Sequence, residues 1–139
     1  MVESPYGQAI EIDYNLGTNT AFVMSKRKGF SIFGEDINKV NKIGFLIKTN
    51  GTVNSMELEL TDQDGKCFGK KWRDVTGEEN WNKLEVKIPD LKCWGGTCKD
   101  ENEIVDLNKV VAFGFAISDK AGEEGGAGEV TISKLSGFY

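Results

Sequence analysis

The sequence predicts an all-β chain folded as an antiparallel two-sheet β-sandwich, and three observations carry that expectation. Seventeen glycines stand against two prolines in 139 residues, a balance that suits many tight turns, because glycine supplies the positive φ such turns need. Apolar and polar residues alternate in segment after segment, the period of a strand with one wet face. No 3.6-residue periodicity lasts beyond a turn or so, which argues against long helices. At 39% hydrophobic composition the chain is expected to form one domain, residues 1 to 139, that buries a core without needing disulfides or metal.

Taken in order, Ile10, Ile12, Tyr14 and Leu16 alternate with Glu11, Asp13 and Asn15, and Gly17 ends that strand. Ala21 to Ser25 and Phe30 to Phe33 read as strand material on either side of a basic turn, Lys26-Arg27-Lys28-Gly29. Ile43, Phe45 and Ile47 alternate until Asn50-Gly51, a strong turn dipeptide. Met56, Leu58 and Leu60, interleaved with Glu57 and Glu59, form one arm of a hairpin that turns at residues 61–65 and returns as Lys66 to Arg73. Trp81, Leu84, Val86 and Ile88 make the next strand, ended by Pro89, which cannot donate to a ladder. Residues 90 to 109 form a long connection, Val111, Phe113, Phe115 and Ile117 another strand, and Val130 with Ile132 the last, after the glycine-rich Ala121 to Gly128. The total is roughly eight to ten strands, the count of a sandwich.

The formal charge of -5 argues against a nucleic-acid partner, since phosphate binding needs clustered Lys and Arg. No apolar run reaches the length of a membrane span. Met1 to Gly7 lack the basic and apolar regions of a signal peptide, so an exported protein of this kind implies a piece excised from a longer chain. With no histidine among the residues, Ser-His-Asp and Cys-His catalysis is excluded, as is the commonest metal ligand. Cys93 and Cys98 flank Trp94-Gly95-Gly96-Thr97, a spacing that could close a small disulfide loop, and it lacks the paired knuckles of a zinc site. Cys67 is expected to be a buried strand thiol.

Asp62-Gln63-Asp64-Gly65 looks like the start of a calcium loop, but Arg73 stands where its twelfth ligand should be. An Asx turn with Gly65 in the left-handed region accounts for the same residues. Glu57 and Glu59 share a strand face, as an acid and base pair would; charge on the wet face of an amphipathic strand explains them without catalysis, and so small a chain has little room for a deep cleft. Of the three tryptophans, Trp94 sits in the glycine-rich loop and is the one expected at the surface. Trp72 is divided between core or edge packing and sugar contact.

The run from Trp81 through Leu84-Glu85-Val86-Lys87-Ile88-Pro89, then Asp106-Leu107-Asn108-Lys109-Val110, then Phe113 to Ile117, resembles the jelly-roll carbohydrate-binding modules attached to plant-polysaccharide-degrading enzymes, in the galactose-binding-domain-like superfamily. The likeness covers nearly the whole chain from Gly7 onward, and its motifs are mainly structural. It implies a jelly roll, with Trp81 against the core and no catalysis. Such modules often hold a structural calcium through an Asp in the last strand; the matching stretch Val130-Thr131-Ile132-Ser133-Lys134-Leu135 has Ser133 there, which puts calcium in doubt and leaves Glu11, Asp13 and Glu129 as spare carboxylates. No cofactor is therefore expected.

The resemblance further implies a sugar site on the outer face of one sheet. On this chain the site comprises Ala112, Gly114 and Ala116 as an open but chemically bare floor, Lys71, Trp72 and Arg73 from a neighbouring strand, and Trp94 at the rim. The function implied is non-catalytic binding of a β-glucan or hemicellulose, tethering a larger secreted enzyme or surface protein, as an extracellular monomer excised from a multidomain protein, with no nucleic-acid or membrane partner. The alternative is a jelly-roll structural or protein-interaction domain without sugar affinity.

Overall fold

The computed structural model describes residues 2–4, 7–15, 22–28, 40–73, 75–77, 80–100, 102–118, 127–133 and 136–138. Within them the strands are β1 (Val2–Ser4), β2 (Gly7–Asn15), β3 (Phe22–Lys28), β4 (Lys42–Gly51), β5 (Ser55–Asp62), β6 (Cys67–Trp72), β7 (Asn82–Lys87), β8 (Lys92–Cys93), β9 (Val110–Ser118), β10 (Ala127–Ser133) and β11 (Ser136–Phe138). Two 3-10 turns, Ile88–Asp90 and Leu107–Lys109, precede β8 and β9. Among the described residues there is no α-helix.

All pairings are antiparallel, and they make the two sheets expected of the sandwich. One sheet runs β1-β2-β10-β4, with β11 on the same side of β4 as β10 and β7 on the other. The second runs β3-β9-β5-β6-β8. Because side chains alternate across a strand, one face of each sheet supplies the core. Ile43, Phe45, Ile47, Val130 and Ile132 from the first meet Met56, Leu58, Leu60, Phe115 and Ile117 from the second, each at most 3% exposed. Phe45 centres the aromatic packing, edge-on to Trp72 at 5.4 Å and to Phe115 at 4.9 Å.

The β4–β5 turn needs glycine at 51: its φ is +90°, and a Cβ there would lie 2.2 Å from the Ala127 carbonyl oxygen. A buried polar network closes that end, with the Tyr14 hydroxyl donating to Asn54 Oδ1 (3.1 Å) and the Asn54 backbone N–H donating to Thr76 Oγ1 (2.7 Å). On β4, the ladders to β10 and β11 leave a gap at Leu46, whose N–H donates to the Ser133 hydroxyl at 2.7 Å. Ser133 thus splices two strands onto one partner.

Several expectations change. Lys26-Arg27-Lys28 is not a turn; these residues pair with Gly114, Phe113 and Ala112 of β9, because a ladder partner extends the strand through a run whose composition suggests a turn. Phe30 to Phe33 and most of Ala121 to Gly128 lie outside the described residues. Trp81 is half-buried and precedes β7 instead of starting it, and Ile88 belongs to a 3-10 turn. Cys67 is a half-buried thiol outside the disulfide, since its position on β6 faces away from the core.

Candidate functional site

The outer face of the second sheet follows from its register. Thr61, Glu59 and Glu57 of β5 lie opposite Ala112, Gly114 and Ala116 of β9 on one side, and opposite Cys67, Gly69 and Lys71 of β6 on the other. The floor is closed, contrary to expectation. Ala112 is 6% and Ala116 1% exposed, and Gly114 is buried. On the β5 side these small residues are flanked by the half-buried Glu57, Glu59 and Thr61.

At the β6 edge stands Trp94. A Cβ built on Gly69 would lie 2.5, 2.5 and 2.6 Å from Cη2, Cζ3 and Cε2 of Trp94. Those atoms are spread across the six-membered ring, so the indole lies face-on over the bare backbone of Gly69. Only glycine allows that approach. A glycine inside a strand often marks such a site, and that signal was present in the sequence without being used.

The loop that presents Trp94 is fixed on three sides. Cys93 and Cys98 are disulfide-bonded. Gly95 and Gly96 both have φ of +66°, two successive left-handed residues, as a type I′ turn requires. The Trp94 N–H donates to the Cys67 carbonyl at 2.8 Å, and the Cys67 N–H to Thr97 Oγ1 at 2.9 Å.

Beside the ring, an open groove of about 620 Å³ runs between the edges of the two sheets. Gly69, Lys70, Lys71, Lys92 and Trp94 line it from one sheet, and Lys42, Glu85 and Lys87 from the other, with Asp90 between. Lys71 and Trp94 are thus brought to one groove. Arg73 is not among the lining residues; it is exposed in the turn one residue beyond β6. Trp72 turns inward, partly buried against Phe45. Lys42, Lys70, Lys87 and Lys92 were missed, because they come from four strands that only the topology assembles.

The carboxylates sort differently. Asp62, 6% exposed, accepts from the backbone N–H groups of Asp64 and Lys66, each at 2.9 Å, with Gly65 at φ +82°, which is the Asx turn. Glu11, Asp13 and Glu129 are exposed and place one oxygen each within 4.8 Å of one another. They are hard oxygen donors of the kind calcium takes, in a set of three where it uses six to eight. Ser133 does not fit the calcium-binding Asp of the resembled pattern: its hydroxyl already accepts the Leu46 N–H in a site 6% exposed.

The sequence matches no protein-family model and no curated protein. Solved structures do match. A family 11 carbohydrate-binding module from Clostridium thermocellum, in complex with a β-1,3-1,4-mixed-linked tetrasaccharide, aligns at 15% identity and a TM-score of 0.68, over 96% of this chain and 77% of that one. The chain shares the jelly-roll fold of that module. The family 11 module of a cellulosomal cellulase of the same organism aligns at 13% identity and a TM-score of 0.65, covering 96% and 76% of the two chains. A family 28 module specific for non-crystalline cellulose aligns at 10% identity and a TM-score of 0.54, over 99% and 78%.

Proposed function

We propose that the chain is a non-catalytic polysaccharide-binding module of the β-glucan or hemicellulose class, held extracellularly as the monomeric targeting domain of a larger enzyme or surface protein. The observation that carries this reading is the Trp94 ring, stacked on Gly69 by one face and set at the border of a groove lined with polar groups. An aromatic face receives the C–H side of a pyranose, and flexible donors beside it reach the hydroxyls. The fold shared with sugar-binding modules supports it. Glu57 and Glu59 border a buried floor and are not among the residues that line the groove beside Trp94.

The test is calorimetric titration with soluble mixed-linkage glucan, xylan and mannan, with product release measured in the same mixtures. Binding without product release, weakened about five- to tenfold by Trp94→Ala in a protein that still folds by far-ultraviolet circular dichroism, is expected for an aromatic anchor worth roughly 1 to 1.4 kcal/mol. Absence of binding to every glycan would favour the interaction-domain alternative.

A further inference from the structure

We propose that the groove beside Trp94 selects a carboxylate-bearing glycan, so that the polysaccharide held there is a uronate-substituted member of its class; this rests on the sugar-binding reading of the same groove. The chain as a whole is acidic, with 22 acidic residues against 17 basic. The groove reverses that balance. Of its ten lining residues, five are the lysines 42, 70, 71, 87 and 92, and two are the carboxylates Glu85 and Asp90, a local formal charge of +3 from five less two.

Among the described residues, neutralisation of the groove is incomplete. Glu85 is shared between Lys42 at 3.8 Å and Lys83 at 3.4 Å. Among the described residues, none of Lys70, Lys71, Lys87 and Lys92 makes an ion pair. Lys42 and Lys87 are also direct cross-strand partners, an arrangement of like charges that is unfavourable unless something negative lies between them.

Lysine on an open edge has another use, the deterrence of strand addition, and β6 has no partner beyond Gly69 on its β8 side among the described residues. Edge protection would account for Lys70 and Lys71. It accounts as well for Lys87 on β7, which pairs only with β4 among the described residues, but not for Lys42 on β4, which is paired on both sides, nor for an aromatic ring seated at the same groove. A pyranose on Trp94 with a carboxylate substituent directed at these lysines uses both features.

The experiment compares glucuronoxylan with the same polymer after reduction of its carboxyl groups to alcohols, alongside neutral mixed-linkage glucan and a single-stranded DNA of matched charge. Glucuronoxylan should bind about tenfold more tightly than its reduced form, about 1.4 kcal/mol shared among several exposed charge pairs. The gap should narrow as salt rises, because screening shortens from about 10 Å at 0.1 M to about 3 Å at 1 M. Lys71→Gln combined with Lys92→Gln should bring the two forms close to parity, weakening glucuronoxylan by a clearly larger factor than reduced xylan, at an unchanged melting temperature.

Equal affinity for both forms of xylan overturns this proposal and leaves the sugar-binding reading intact. No binding to any glycan overturns both. DNA bound as tightly as glucuronoxylan, with no effect of Trp94→Ala, marks a non-selective polyanion patch and also overturns it.

Discussion

Replacing Gly69 with alanine drives a methyl group into the face of Trp94. Three ring atoms lie 2.5 to 2.6 Å from the added Cβ, whereas non-bonded carbons settle at about 3.5–4.0 Å, so the indole must lift by about 1 Å or swing off the strand. Two effects oppose each other. Alanine in extended backbone restricts the unfolded chain and stabilises by about 0.4–1 kcal/mol. Returning one face of the indole to water, on the order of 100 Å² of its roughly 150–250 Å², costs about 2.5 kcal/mol at about 25 cal/mol per Å². The net expectation is a loss of about 1.5–2 kcal/mol, read from urea unfolding curves. In a Trp94→Ala background there is no ring to displace, and Gly69→Ala should be neutral or slightly stabilising. A Gly69→Ala effect that is the same in both backgrounds, within the roughly 0.3–0.5 kcal/mol expected for independent sites, would refute the stacking of Trp94 on Gly69.

Ser133→Ala removes the acceptor for the Leu46 N–H and should cost about 1–3 kcal/mol in a denaturant melt, the usual penalty for an orphaned donor. Reducing the Cys93–Cys98 bond, which closes a loop of sequence separation 5, should lower stability by about 2 kcal/mol on the loop-entropy estimate and weaken glycan binding as well, because Trp94 lies inside that loop. Phe45→Ala should cost about 3–5 kcal/mol by the same measurement, since Phe45 is 3% exposed and contacts both Trp72 and Phe115.

The strands legible in the sequence are those long enough to show a period while burying one face. β5 and β7 alternate in burial as they alternate in hydropathy, because a sheet with one wet side forces both patterns to coincide. β1, β8 and β11 span two or three residues each, too few for any period, and their place depends on partners distant in sequence. Lys26 to Lys28 failed for a related reason: charge beside glycine resembles a turn until a ladder partner is known. At the site, Trp94 was readable because two glycines and two cysteines surround it. Arg73 falls outside the groove lining because β6 ends one residue earlier, at Trp72. The groove's remaining lysines had no common signal along the chain.

Ring and lysines should divide the work of recognition unequally. Trp94 is held by the platform at Gly69, the disulfide and a backbone bond to Cys67, so the conformational cost of ordering it, about 0.5–1.5 kcal/mol for a mobile side chain on binding, is met when the protein folds. The lysines have no such support. Lys87 and Lys92 are exposed, and each must give up part of about 2 kcal/mol of rotamer entropy and some of its hydration to meet a ligand. A preorganised neutral ring contributes similarly to any pyranose, whereas a mobile cation repays its ordering more fully against an anion than against a hydroxyl. Loss of the ring should therefore weaken every glycan by a similar factor, while loss of the lysines should reorder glycans, weakening acidic ones more than neutral ones. A panel of neutral and acidic glycans titrated against Trp94→Ala and against Lys71→Gln with Lys92→Gln separates the two behaviours; matching patterns in both variants would mean that ring and lysines act on the same part of the ligand.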